Sequence, residues 1–264
     1  MHIEDEGTGE PVMLAHAGVT DRHIWDRLVP VLRDSGFRVI RYDAPGYGLS
    51  PRPTGPHSLV DDALAVFEAT GVVSAHWVGL SQGGATGVDL AIAHPDRIRS
   101  LALIAPGMSG YDWPELPGTE RRRAVRESGD RQALGLEVLR LWGPLSFDEN
   151  GELRADDPAA KTLLDQIDWL ASDEDEEIEE PPAEPRLGEV AVPTLIVLGD
   201  SDIPEITDIG HRYAHGIRGA RLVMLSEADH LLPLRRPDRL HPLLLEHLDS
   251  ASGTELRPVM GPVE

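Results

Sequence analysis

Short apolar runs recur along the chain, separated by stretches with helical periodicity. Pro11 to Ala15, Arg38 to Tyr42, Ala75 to Gly79, Arg99 to Ile104, Thr194 to Leu198 and Arg221 to Leu225 read as strands. Most lack polar alternation, the pattern of strands buried on both faces of a parallel sheet. Trp25 to Asp34, Leu59 to Thr70, Gln82 to Ala93 and Pro237 to Leu248 read as helices. Strand alternating with helix predicts an α/β fold, a mostly parallel open sheet flanked by helices. The alternation stops between about Pro106 and Val190. That stretch offers helical pieces (Thr119 to Gly129, Arg131 to Trp142, Pro158 to Leu170) and no strand. The expected organisation is therefore a core made of 1–106 and 190–250, with a mainly helical insertion over 107–189. Within the insertion, 172–185 is dominated by Asp, Glu and Pro and reads as a solvated surface segment. The tail, 251–264, has little periodicity and is expected to fray.

Composition narrows the classes. With 264 residues and 41% hydrophobic content the chain can bury a sizeable core. It has no cysteine, so disulfides, thiol catalysis and thiolate-bound metals are excluded. No apolar run reaches membrane-spanning length, and Met1-His2-Ile3-Glu4-Asp5-Glu6 lacks the basic and apolar regions of a signal peptide, so a cytoplasmic protein is expected. A formal net charge of −22 argues against nucleic acid and anionic membranes as partners. What remains is a small-molecule substrate, with monomer and homodimer both open. Lys161 is the only lysine, which reads as codon bias toward arginine.

Gly79-Leu80-Ser81-Gln82-Gly83 is the densest chemical signal. It lies between a strand-like and a helix-like run, where a serine at a sharp corner is held in a strained conformation with its hydroxyl outward. A serine hydroxyl is a poor nucleophile without a base, and the base needs an orienting acid. Asp202, in Gly199-Asp200-Ser201-Asp202 after the Thr194 strand, is the candidate acid, with Asp200 as the fallback. His230, on the loop after the last strand, is the candidate base. All three then sit on the carboxyl edge of the sheet, where ligands bind in open α/β folds. His94 and His241 look structural. The oxyanion of acyl transfer needs two backbone donors. Gln82 N–H, at a helix N-terminus, and Gly18 N–H, on the loop after the first long strand, are the candidates.

These blocks resemble the α/β-hydrolase fold superfamily from Gly7 to about Leu248. Pro11 to Trp25 is similar to the strand, H-G-x turn and trailing tryptophan of the family. Tyr42 to Ser50 resembles its D-x-P-G-x-G-x-S loop, Val78 to Gly84 its nucleophile elbow, and Val192 to Asp202 its acid block. The resemblance puts Ser81, Asp202 and His230 on the triad, and Gly18 and Gln82 on the oxyanion positions. It makes the insertion a cap that shapes the pocket and implies no cofactor and no metal. Candidate pocket residues are His16, Val19, Met108, Trp113, Trp142 and Leu231; Trp113, Trp142 and Trp169 read equally as filling for the insertion's own core. Ala17 stands where the family usually has glycine, which is expected to shift the oxyanion loop. Asp229 replaces the glycine that commonly precedes the histidine and puts a carboxylate next to the candidate base. The amino end is short, so the family's first edge strand is expected to be missing. A serine at position 81 is unlike the aspartate of haloalkane dehalogenases and epoxide hydrolases. The implied activity is hydrolysis of a small or medium ester or lactone through an acyl-enzyme. Carbon–carbon bond hydrolysis or cofactor-free perhydrolase (haloperoxidase) chemistry with the same triad is the alternative, and a non-catalytic small-molecule receptor the third reading.

Overall fold

A computed structural model describes residues 1–165 and 178–253. Seven strands form one sheet in the order β1-β3-β2-β4-β5-β6-β7. They are β1 His2–Gly7, β2 Pro11–Ala15, β3 Arg38–Asp43, β4 Ala75–Leu80, β5 Ile98–Ile104, β6 Thr194–Gly199 and β7 Arg221–Leu225. Every pairing from β3 to β7 is parallel, while β1 runs antiparallel along β3 with Ile3 opposite Tyr42. The chain goes from β2 to β3 on one side and then to β4 on the other. The strand order therefore reverses between β2 and β4, and such a switch point opens a crevice at the carboxyl ends of the strands.

The central strands form because their residues can be covered on both faces. All six residues of β4 and all six of β6 are buried. Trp77, at the middle of β4, stacks on Phe67 and sends its indole N–H to Gly83 O at 2.8 Å. The flanking helices are α1 Val29–Asp34, α2 Leu59–Thr70, α3 Gln82–Ala93, α7 Pro204–Gly216, α8 Leu232–Arg235 and α9 Pro237–Ala251. Ser58 caps α2 through its hydroxyl, and Gly71 ends it in a left-handed conformation.

The stretch between β5 and β6 is helical, with α4 Thr119–Ser128, α5 Arg131–Trp142 and α6 Pro158–Leu164. Asp130 and Asp157 cap α5 and α6 through their carboxylates. The expected helix from Pro158 to Leu170 is described as far as Leu164; Trp169 and residues 172–177 of the acidic segment lie outside the described residues, as do 254–264 of the tail.

Three local expectations change. The helix expected from Trp25 to Asp34 is divided: Trp25 closes a 3-10 turn, Arg22–Trp25, and α1 begins only at Val29. Pro30, in the first turn of α1, has no N–H to extend a helix from upstream. The amino end contributes an edge strand, β1, that no apolar run announced. A further helix, α7, follows the acid block; it opens on Pro204 and buries Ile206, Ile209 and Tyr213. Among the described residues no helix is long and apolar enough to cross a membrane.

Candidate active site

Ser81 sits at the corner where β4 turns into α3, with φ 53° and ψ −113°. A non-glycine residue there is strained, and its neighbours hold it in place. Ser81 N–H donates to Ile104 O at 3.0 Å, and Ser81 O accepts from Gly84, Ala85 and Gly107 N–H. The motif's two glycines are required by close approach. A Cβ on Gly79 would meet Gly83 O at 2.1 Å, and one on Gly83 would meet Ala15 O at 2.4 Å. Helix α3 thus presses its first turn onto the ends of β4 and β2, which leaves the serine at the switch-point crevice.

The loops after β6 and β7 bring the candidate acid and the candidate base together. His230 Nδ1 lies 2.8 Å from Asp202 Oδ2, and each side chain is 1% exposed. Asp202 is fixed in turn by Ile203 N–H, which donates to Oδ1 at 2.8 Å. A neutral imidazole that donates from Nδ1 to a carboxylate keeps its lone pair on Nε2. That Nε2 is buried and has no hydrogen-bond partner among the described residues, an orphan that calls for an explanation in a folded protein. The fallback acid, Asp200, is occupied elsewhere: Oδ1 accepts from Ser201 Oγ and Ala228 N–H.

Asp229, the unusual neighbour of His230, does not turn toward the imidazole. Its carboxylate receives Arg235 and the backbone N–H groups of Leu145 and Leu231. Arg235 also binds Asp157 Oδ2 at 2.5 Å and Ser146 Oγ at 2.7 Å. One guanidinium therefore fastens the His230 loop to the helical stretch between β5 and β6. The Asp229 carboxylate is thus taken up by this network.

The loop after β2 is closed on itself. Ala17 N–H donates to Thr20 Oγ1, and Ala17 O accepts from Thr20 N–H and the His16 ring. Gly18 rests beside the start of α3, where a Cβ would come within 3.4 Å of Gln82 Oε1. Gly18 and Gln82 are thus brought next to each other at the elbow.

Ser81, Gln82, Met108, Trp113 and Trp142 line a cavity of about 510 Å³ together with Leu59, Ala85, Thr86, Asp89, Gly107 to Tyr111, Leu116, Glu179 and Glu180. Three expected pocket residues are not on its wall. His16 is buried with both ring nitrogens engaged, Nδ1 with Ala17 O and Nε2 with Ala44 N–H, and it borders a gap of only about 10 Å³. Burial pushes its pKa down. Val19 packs against the core, and Leu231 is fully buried against Gly143. Trp142 reaches the base as well, with ring centroids 4.4 Å from His230. The sequence reading missed Asp89, Tyr111, Leu116 and Glu180. Asp89 had a signal: it is the one charged residue in α3, the helix that starts at the Ser81 corner. Among the described residues no group of three or more His, Asp or Glu is arranged to hold a metal ion.

A family model described as the alpha/beta hydrolase fold matches residues 10–237. Among curated proteins, the 2-hydroxy-6-oxo-6-phenylhexa-2,4-dienoate hydrolase of Comamonas testosteroni is 28% identical over 266 residues, covering 94% of this chain and 91% of that one. Among solved structures, the enol-lactonase from Burkholderia xenovorans LB400 superposes with a TM-score of 0.76 at 27% identity, covering 94% of this chain and 95% of the other. A malate-bound thermophilic esterase from Thermogutta terrifontis gives 0.77 at 26% identity, covering 95% and 93%.

Proposed function

The chain belongs to the alpha/beta hydrolase fold family and is a hydrolase of small molecules, and from that premise we propose that it cleaves a carboxylic ester or lactone through an acyl-enzyme on Ser81. His230 Nε2 takes the proton of the Ser81 hydroxyl as Oγ attacks the carbonyl carbon. Asp202 holds the imidazole in the required tautomer and stabilises the imidazolium that forms. The developing oxyanion is received by the N–H groups of Gly18 and Gln82, and the same imidazolium protonates the leaving alcohol. Water, deprotonated by His230, then releases the acid and restores Ser81. The insertion, 107–189, acts as the cap over this reaction, and the core 1–106 with 190–250 carries the chemistry.

The observation that carries this reading is the buried, partnerless Nε2 of an imidazole whose other nitrogen is bonded to Asp202. His241 and His247 also leave a buried Nε2 without a partner among the described residues; His230 is set apart by the Asp202 carboxylate 2.8 Å from its other nitrogen, at the carboxyl edge of the sheet. The Ser81→Ala variant should lose about a millionfold in kcat on a p-nitrophenyl ester, and an uncharged fluorophosphonate should label wild type at Ser81 stoichiometrically. Full ester turnover by the alanine variant would overturn the mechanism.

Carbon–carbon hydrolysis on the same residues has one point in its favour. The Comamonas relative is named for a substrate that carries a ketone and no ester. A diketone consumed while esters are ignored would select that reading.

A further inference from the structure

The charge of the cavity wall is one-sided. Asp89, Glu179 and Glu180 line it, and no Arg, Lys or His is on the wall among the described residues. Asp89 is the informative one. It is 7% exposed, and its bonded partner is a neutral hydroxyl, Ser109 Oγ at 2.5 Å from Oδ2. Glu180 bonds to another hydroxyl, that of Ser58. Arg186, whose charge reaches Asp89, spends its hydrogen bonds on Glu189, and Arg212 is bonded to Asp208 and Glu184. A carboxylate this buried that bonds to no cation among the described residues is costly, so its place on the wall of an open cavity asks for a charged visitor. The other lining points the same way. Trp113 and Trp142 present aromatic surface to the same space, and aromatic faces attract alkylammonium groups.

We propose that the cavity selects esters or lactones carrying a positive charge, an alkylammonium group received by Asp89 and Glu180 while the carbonyl lies at Ser81. This deepens the serine-hydrolase reading and rests on it. Asp89 lies eight residue steps beyond Ser81, about 12 Å along the axis of α3. The charge must therefore lie well away from the reacting carbonyl, at the far end of a chain of several atoms. Anionic substrates such as dienoates would meet repulsion at the same place.

The test uses three p-nitrophenyl esters with an acyl chain of about six atoms, matched to that span, ending in trimethylammonium, in the isosteric tert-butyl group, or in carboxylate. Wild type should favour the cation over the neutral isostere by roughly tenfold in kcat/KM and disfavour the anion by at least as much. In Asp89→Asn and in Glu180→Gln that ratio should fall toward one, as it should in wild type at high salt. The ratio cancels any titration of the shared catalytic groups. Burial, chiefly, and the charge of Glu180 lift the Asp89 carboxyl to about 6 against the Ser109 hydroxyl and the Arg186 charge. The preference for the quaternary ammonium should accordingly fade as pH drops below about 6. A wild type that treats the three esters alike, or variants that keep the preference, would overturn the proposal. Should Asp89→Asn fail to fold, Glu180→Gln gives the same readout. Failure of the hydrolase reading is told apart by binding: with no ester turned over, hexyltrimethylammonium should still quench cavity tryptophan fluorescence in wild type and less so in Asp89→Asn. Equal quenching in both, or none in either, counts against the charge selection itself.

Discussion

β4 and β1 are six-residue strands of one sheet, and almost nothing else about them is alike. Every residue of β4 is buried; none of β1 is. β4 is held by apolar burial on both faces and by glycines that let α3 lie against its end. β1 is held by backbone pairing to β3 and by a row of ion pairs: Glu4 with Arg22 and Arg41, Asp5 with Arg38, Glu6 with Arg33. The difference teaches how this chain divides its labour. Apolar strands fix the positions from which Ser81, Asp202 and His230 project, whereas carboxylate–guanidinium pairs fasten the periphery. Three carboxylate contacts, one to an imidazole and two to guanidiniums, lie at successive depths, and their removal should cost progressively less from the centre outward.

The deepest is His230 with Asp202. Asp202→Asn keeps the shape, but an amide in place of the carboxylate favours the wrong tautomer and leaves the imidazolium without its counter-charge. We expect kcat on a neutral ester to fall by about ten-thousandfold, with the melting temperature little changed. A loss of less than tenfold would mean that the base is oriented by something else, and the centre would then be less determined than its burial suggests.

What was legible in the sequence follows the same division. β4, β6 and the elbow were readable because continuous apolar runs and a five-residue motif at a strand–helix junction report directly on burial and on a tight corner. The position of Asp202, just past β6, was readable from the apolar run before it. β1 was invisible because His2-Ile3-Glu4-Asp5-Glu6 pairs its charges with arginines up to 37 residues away, and no local pattern encodes such partners. The pocket was half legible. Aromatic residues in a helical stretch announce a wall or a core without saying which, and Trp113 and Trp142 proved to be wall. His16 looked like a pocket residue from its position, yet the hydrogen bonds that occupy both its nitrogens come from Ala17 and from Ala44 across the sheet edge.

The intermediate depth is Arg235, whose side chain is nearly buried between Asp229 and Asp157. Arg235→Met removes the charge and keeps much of the volume, leaving two buried carboxylates facing each other's loops. Such single removals cost about 3–5 kcal/mol, read from urea unfolding. Burial holds the Asp229 carboxyl above its ordinary pKa even with Arg235 present, so the variant's deficit should shrink as acid protonates it. Adding Asp229→Asn and Asp157→Asn should recover part of the loss. If the single variant is as stable as wild type, the network is dispensable and depth is not the governing variable.

The shallowest is Glu4, whose side chain keeps 29% of its exposure. Burial by itself would push its carboxyl upward, but the hydrogen bonds and charges of Arg22 and Arg41 outweigh that and bring it down to about 2. A carboxyl with a lower pKa in the folded state than in the unfolded one stabilises the fold above the unfolded value of 4.5. That contribution is lost as pH falls toward about 2. Solvent screening at this exposure reduces it to about 1–2 kcal/mol at neutral pH. Glu4→Gln should therefore cost that much at pH 7, and the two stabilities should converge as pH falls through about 2 and wild-type Glu4 takes up its proton. Added salt should narrow the gap at neutral pH while leaving the Asp202→Asn defect in place. A Glu4→Gln deficit that persists in acid would show that the edge strand depends on packing of the side chain rather than on its charge, and the contrast between β1 and β4 would lose its basis.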